Sequence, residues 1–407
     1  LILFRALQGV GAGGLIVGSQ AIMGDVISPR QRGRYMGYFG AVFASTSVLG
    51  PLLGGVFTQD LSWRWVFYIN IPVGIVALFV IAGVLHIPTK RTEHTVDYLG
   101  TTLLGAAVTT VVLLTTWGGT TYRWGSLPII AMEVLTALLI GAFVVVESRA
   151  AEPLIPLGLF RIGVFNVTSS IGFVVGFIMF GAIIFVPLYL QTVHGATPTS
   201  AGFQLLPMVG GMLITFIVSG RLISGRGRYK VFPIFGTGVT TIGLYLLSLL
   251  TPTSSLAVSS FYLFIVGFGL GSVMQVLVVA VQNAVPYSQL GTATSCSTFF
   301  RSIGGVFGVA LFGAIFNNRL LAALPRYLPA SALRHQSTGS IAINPAQINA
   351  LAPPLRHGYV EAFGHVIPSV FLFGVPFMAA AFGLAWLMKE VPLRTQPPLS
   401  LEASGPA

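Results

Sequence analysis

The chain has 407 residues, of which 54% are hydrophobic and only 8% charged, against roughly 25% charged in a soluble domain. With so little polar side chain it cannot cover itself in water, and it reads as an integral membrane protein. The net charge of +11 comes from 21 basic and 10 acidic residues, but the basic ones sit mainly in loops between apolar runs, which is a membrane topology signal and excludes a nucleic-acid surface.

The apolar runs are about 20 residues long, the length that crosses the hydrocarbon as a helix, and not the alternating strands of about 10 residues that build a membrane barrel. In chain order they predict eleven spans: 1–23, 36–57, 66–87, 98–117, 127–147, 166–190, 201–223, 231–251, 256–284, 293–316 and 364–388. The first begins at Leu1, already apolar and with no basic stretch before it, so it is no signal peptide; the chain reads as a piece of a longer one. Segment 317–363, with several prolines, is expected to be an external loop carrying at most a short helix. Residues 391–407 are expected to be a disordered tail.

Alternate loops fall on opposite sides. One side holds Arg30, Arg32, Arg34, Lys90, Arg91, Arg149, Arg161, Arg221, Arg226, Arg228, Lys230, Lys389 and Arg394, with Arg301 placed near the start of a span. The other holds Arg64 and Arg123, and Arg319, Arg326, Arg334 and Arg356 in the long segment. This bias makes the first side cytoplasmic and puts the C-terminus inside. Trp63, Trp65 and Tyr68 suit the external interface as aromatic anchors.

The chain also repeats itself. Gly9, Gly11 and Gly13 recur as Gly267, Gly269 and Gly271, and Pro29 and Gly33 recur as Pro286 and Gly291, at offsets of 257 to 258 residues. That offset corresponds to eight predicted helices, an even number, so the two copies run parallel, related by an axis along the membrane normal. Parallel halves of six helices with a pair inserted between them account for an offset of eight. The expected organisation is therefore a three-span remnant of an N-terminal half at 1–90, an inserted pair at 91–150, a six-helix C-terminal half at 151–390 and the tail.

Several strings then carry a family likeness. RALQGVGAGG from Arg5, GPLLGG from Gly50 to Gly55, SWRWVFYINIPVG from Ser62 to Gly74 and GRLISGRGRYK from Gly220 to Lys230 together resemble the fourteen-span drug:proton antiporter branch of the major facilitator superfamily. The resemblance implies an all-α polytopic bundle holding about 11 transmembrane helices of an expected 14, as helices four to fourteen. It also implies a multidrug efflux function. By the same likeness Arg5 is a candidate for proton coupling. Gly50, Pro51, Gly54 and Gly55 match the antiporter motif, with Thr46 where that motif usually begins with glycine. Gly220, Arg221, Arg226, Gly227 and Arg228 match the cytoplasmic gating loop, with Ser224 where an aspartate is common. An acidic residue of the family's first helix, tied to cation recognition, is not among these 407 residues.

The physics of each candidate stands beside the likeness. Arg5 within a span should face the bundle interior or a wet cavity, or be pinned to carbonyls. Gly50, Pro51, Gly54 and Gly55 together make a kinkable face that a neighbouring backbone can approach, either as a gating seam or as ordinary small-residue packing; Gly14/Gly18 and Gly304/Gly308 have the packing spacing alone. Gly9, Gly11 and Gly14 formally satisfy GxGxxG, but no strand precedes them and a dinucleotide site is excluded. Glu133, the one carboxylate placed deep in a span, is a proton-carrying candidate or a structural acid. Asp25 reads as a loop ion pair. Gln275 and Gln282, seven apart on one helical face, either line a substrate site or bridge helices, and Phe173, Phe177 and Phe180 form a stripe that reads as lipid contact or core.

Cys296 is alone, so no disulfide forms within the chain. The nearest histidine pairs, His86 with His94 and His357 with His365, are eight apart, which offers no metal site. No GxxxxGK[ST] string exists for a nucleotide. No cofactor and no catalysis are expected. The expected protein is a monomeric, multi-pass inner-membrane transporter whose partners are protons, lipid and an amphipathic small molecule. A phenylalanine-rich lining with few polar contacts would favour hydrophobic or cationic compounds. The alternatives are a dedicated exporter of one metabolite, such as a siderophore, an antibiotic or an amino acid, or a membrane protein that does not transport.

Overall fold

A computed structural model describes residues 2–84, 97–118, 121–150, 152–329, 345–349 and 351–393. The expectations for His86, Lys90, Arg91, His94, Arg334, Arg394 and most of the tail lie outside the described residues, as do the side chains of Asp25, Arg30 and Pro51. The described chain is helical throughout apart from an isolated bridge between Gly118 and Tyr122.

The helices are α1 (Ile2–Val26), α2 (Pro29–Asp60), α3 (Trp65–Tyr68), α4 (Asn70–Val84), α5 (Tyr98–Trp117), α6 (Leu127–Glu147), α7 (Gly163–Val193), α8 (Pro198–Phe203), α9 (Leu206–Arg226), α10 (Val231–Ser248), α11 (Leu256–Ala284), α12 (Leu290–Tyr327), α13 (Pro345–Asn349) and α14 (Pro353–Leu387). Local chemistry starts and stops them. Asp97 accepts from the Gly100 N–H at 2.7 Å, Thr197 from Ser200 at 3.2 Å and Ser255 from Val258 at 3.3 Å, each satisfying an orphan donor of a first turn. Gly227 ends α9 in the left-handed region at φ 73°, a conformation open to glycine at no steric cost.

Ten helices among the described residues are long and apolar enough to span a membrane. The expected span 36–57 forms within helix α2. The expected span 66–87 is found as Trp65–Val84 within the described residues, with a one-residue break in the helix at Ile69. Two expectations need correction. Segment 317–363 is no continuous loop, because α12 runs on to Tyr327 and α14 begins at Pro353. The tail is held through its first residues, as the hydrogen bonds of Val391 and Pro392 show.

The core sits in the C-terminal half, in α7 and α9 to α14. Lipid tails are as apolar as leucine, so helices here associate through close van der Waals packing and not by hydrophobic burial. Glycine makes that closeness available. On α11, Gly267 meets the Met208 carbonyl, Gly271 meets Met212 and Thr215 of α9, and Gly269 meets Gly236 and Thr240 of α10. On α12, Gly304 lies against the Phe173 carbonyl and Gly308 against that of Phe177, while Gly176 of α7 lies against the Arg301 carbonyl. Phe177 packs at 5.1 Å from Phe312 and 4.9 Å from Phe377, so this part of the phenylalanine stripe is core.

The N-terminal helices are less enclosed. Helix α2 lies along α9, with Gly37 and Gly40 over Phe216, and α1 lies beside α12. Arg32, fully buried, donates from Nε to the Ile27 carbonyl at 2.8 Å and from Nη2 to that of Gly24. It ties off the C-terminal carbonyls of α1, where a cation also meets the negative end of the helix dipole. Helices α5 and α6 form a hairpin, and α4 buries no residue. The glycines of the first repeat copy, Gly9, Gly11 and Gly13, face open space.

Candidate functional site

The site begins with what α2 lacks. Along one side of that helix Thr46, Gly50, Gly54 and Gly55 present little side chain, and opposite them α7, α8 and α9 leave a cavity of about 570 Å³. A Cβ added at Gly50 or Gly54 would meet nothing within 4 Å, so these glycines make room instead of admitting a neighbouring backbone. Gly55 differs, since a Cβ there would stand 2.8 Å from the Thr199 hydroxyl, and it brings α2 against α8. Pro51 is helical in backbone.

The far wall is soft and apolar. Met179, Met208 and Met212 line it, and among the described residues no phenylalanine does. Methionine, unbranched and polarizable, adapts its shape to different ligands. Gln191 supplies one polar side chain. Pro187 within α7 has no N–H for the Ile183 carbonyl one turn earlier, and both residues line the cavity, which leaves a backbone acceptor at its wall.

At the other end of the bundle the two parts of the chain close on each other. The backbone N–H of Arg34 donates to Ser224 Oγ at 3.1 Å. Gln282 Nε2 donates to the Gln20 carbonyl at 3.3 Å and to Thr294 Oγ1 at 3.1 Å. Gln282 is fully buried with its Nε2 on this bridge, while its Oε1 has no hydrogen-bond partner. In the gating loop Gly220 is buried and Gly227 forms the left-handed cap, while Arg221, Arg226 and Arg228 are exposed.

The remaining candidates are not brought to the cavity. Arg5 is exposed near the start of α1, where its Nη1 donates to Gln8 Oε1 at 3.0 Å and its guanidinium lies 4.6 Å from the centre of the Phe67 ring. Glu133 is exposed on α6. Gln275 is half-buried in α11 and its Oε1 has no hydrogen-bond partner.

Three features were not anticipated. Beyond α14, Glu390 Oε1 accepts from the backbone N–H groups of Tyr229 at 2.8 Å and Lys230 at 3.3 Å, placing a carboxylate at the start of α10 where the helix dipole favours it. The Tyr229 hydroxyl accepts from Val391 N–H at 2.9 Å, and Asn283 Nδ2 donates to the Val391 and Pro392 carbonyls at 3.0 and 3.2 Å. Burial, more than any neighbour, holds the Tyr229 hydroxyl above its usual pKa. Partners 108 to 162 residues apart leave no local signal for this latch. Arg301 is the second feature, and lies eleven residues into α12 instead of near its start.

His194 is the third. It follows α7, its ring 5.5 Å from that of Tyr189, with Nε2 buried and unbonded. Burial holds its pKa below the usual 6.5. A histidine depressed in the native state binds fewer protons there than in the unfolded chain, so its stabilising effect is complete above the unfolded value and is lost as pH falls through the native one. The thermal midpoint of the solubilised protein is therefore expected to drop between about pH 7.5 and pH 5.5. His194→Gln should flatten that slope, and an unchanged slope would clear His194 of the effect.

Known proteins are similar to this sequence over most of its length. Residues 1–309 match the family model described as Major Facilitator Superfamily. Over 393 residues the chain is 42% identical to an uncharacterized MFS-type transporter of Mycobacterium tuberculosis (strain ATCC 25618 / H37Rv), covering 97% of this chain and 57% of that one. Over 416 residues it is 35% identical to the multidrug transporter protein MdtP of Bacillus subtilis (strain 168), covering 97% and 77%. A crystal structure of a bacterial homologue of the human lysosomal transporter Spinster, inward-facing and occupied, aligns at TM-score 0.47 and 15% identity over 91% of each chain. The chain thus spans little more than half the length of the mycobacterial relative.

Proposed function

The chain belongs to the Major Facilitator Superfamily, and on that premise we propose that it is the larger part of a proton-coupled exporter of amphipathic, hydrophobic or cationic compounds, of the fourteen-span branch. The observation that carries this reading is the placement of the antiporter-motif glycines. Gly50, Gly54 and Gly55 line a methionine-walled cavity between α2 and the C-terminal half, and such a cavity, apolar with few polar groups, accepts varied amphipathic molecules. The two halves rock about it, exchanging inward proton flow for outward movement of the compound.

The fourteen-span assignment draws support from the repeat. Gly267, Gly269 and Gly271 are clasped between α9 and α10, whereas their counterparts Gly9, Gly11 and Gly13 have open space. With Arg301 removed from the loop count, the basic residues still gather on the side of the α9–α10 loop, which supports a multi-pass inner-membrane protein with its C-terminus inside. Within this reading the protein works as a monomer without cofactor or enzymatic step, and Arg5 takes the coupling or electrostatic role. Glu133, on the exposed face of α6, takes no part in it.

The test is ethidium uptake into everted vesicles containing the full-length protein, energised with a proton gradient. A protonophore is expected to reduce transport about tenfold or more, and Arg5→Ala to reduce it comparably. Transport indifferent to the protonophore would overturn proton coupling, and full activity of Arg5→Ala would take Arg5 out of the mechanism.

A further inference from the structure

Arg301 stands about 16 Å along α12 from its start at Leu290. A guanidinium within a membrane-spanning helix costs a few kcal/mol on insertion scales, and residues of this kind mark partners or substrate pathways. Two glycines make way for it: its carbonyl lies against Gly176, and its Cβ is 4.0 Å from where a Cβ on Gly172 would stand. Arg301 makes no hydrogen bond or ion pair with any described residue. The three helices around it, α7, α11 and α12, contain neither aspartate nor glutamate.

Register identifies its neighbours. The bond from Gln282 to Thr294 aligns antiparallel α11 and α12. Seven residues back along α11 and seven forward along α12, two turns on each, bring Gln275 and Arg301 to one level on the same faces. Gln275 Oε1, Thr298 Oγ1, one turn before Arg301, and Ser169 Oγ, one turn before Gly172, are all buried without a hydrogen bond. Folded proteins seldom leave such groups unpaired. The guanidinium and the orphaned hydroxyls of Thr298 and Ser169 can all donate at once, which is the donor set that an anion requires; the orphaned Gln275 Oε1 accepts, and that side chain could contribute only through its Nε2.

We propose that Arg301, with Gln275, Thr298 and Ser169, forms a subsite for the carboxylate of an amphipathic substrate whose apolar body occupies the methionine-lined cavity. Gly172, Gly176, Met179, Ile183 and Pro187 follow one another at three- and four-residue spacing along one face of α7, so subsite and cavity share a wall. The subsite widens the substrate range beyond hydrophobic and cationic compounds to amphipathic acids. It rests on the cavity being the substrate site, but does not depend on proton coupling.

Dansylglycine and dansylcadaverine carry one fluorophore with opposite charges, and their equilibrium binding to the full-length protein in lipid nanodiscs tests the proposal without any transport step. Arg301→Gln is expected to weaken dansylglycine about tenfold, the loss of a charge-assisted hydrogen bond, and to leave dansylcadaverine within about twofold. Arg301→Lys should keep most of the dansylglycine affinity, and Gln275→Leu should lose about threefold. Failure of the unaltered protein to bind dansylglycine, unchanged affinity in Arg301→Gln, or equal loss of both probes would overturn the subsite. If Arg301→Gln does not fold, Arg301→Lys and Gln275→Leu decide: the proposal fails if Gln275→Leu leaves dansylglycine unchanged or if Arg301→Lys binds it no better than Gln275→Leu.

Discussion

Gly304→Leu is expected to leave little folded protein. A side chain at Gly304 must enter the space of the Phe173 backbone carbonyl, and one turn on Gly308 stands in the same relation to Phe177. The obstacle is helix backbone and not a side chain that can change rotamer. Overpacking a core typically costs about 1–3 kcal/mol even where side chains can give way, so a loss of about 3 kcal/mol or more is expected here. The seam between α7 and α12 also positions Gly176 against Arg301, so its separation would disturb the middle of the C-terminal half. Yield of monodisperse protein and thermal midpoint measure the effect. Gly313→Ala on the same helix, with nothing within 4 Å of the added methyl, serves as the control and should be close to neutral. A wild-type midpoint for Gly304→Leu would show that the two helices separate freely.

The same exchange at Gly54 is expected to have the opposite character. Nothing lies within 4 Å of a Cβ at Gly54, and the cavity lies beyond it, so the protein with leucine there should fold with a midpoint close to that of the parent. The added side chain instead occupies the cavity of about 570 Å³. Ethidium transport is expected to fall about tenfold or more, with weaker binding of both dansyl probes, because a ligand and a leucine compete for one volume. Normal transport by a well-folded Gly54→Leu protein would place the substrate path elsewhere. Taken together, Gly304 and Gly54 separate two uses of glycine, close approach and empty space, that no spacing rule distinguishes.

The candidate site was legible in parts. Gly50, Gly54 and Gly55 were singled out by their match to the antiporter motif, and they do line the cavity. The other wall was not: Met179, Met208 and Met212 come from α7 and α9, and nothing in their separate strings distinguishes a cavity methionine from a lipid-facing one. Gln282 and Gln275 carry the same residue type on the same helical face and both keep an unbonded Oε1, yet only Gln282 reaches across, through Nε2, to Gln20 and Thr294. Arg301 was counted with the loop charges because it follows a loop by a dozen residues, and its depth became apparent only when α12 proved to begin at Leu290.

Composition and periodicity alone determined that this is a helical membrane protein. Helices 98–117, 127–147 and 256–284 end where predicted, because in a bilayer each span must satisfy its own backbone hydrogen bonds and its length follows from the thickness to be crossed. The sequence also carries five residues that recur at offsets of 257 to 258. Which faces of those helices meet was decided by tertiary structure. Every face is apolar and lipid is as good a solvent as leucine, so the choice rests on backbone approach at Gly267 or Gly304, on absent side chains at Gly50 and Gly54, and on which polar group finds a partner. These depend on residues far apart in the chain, such as Gly304 and Phe173, and they separate a packed seam from a cavity.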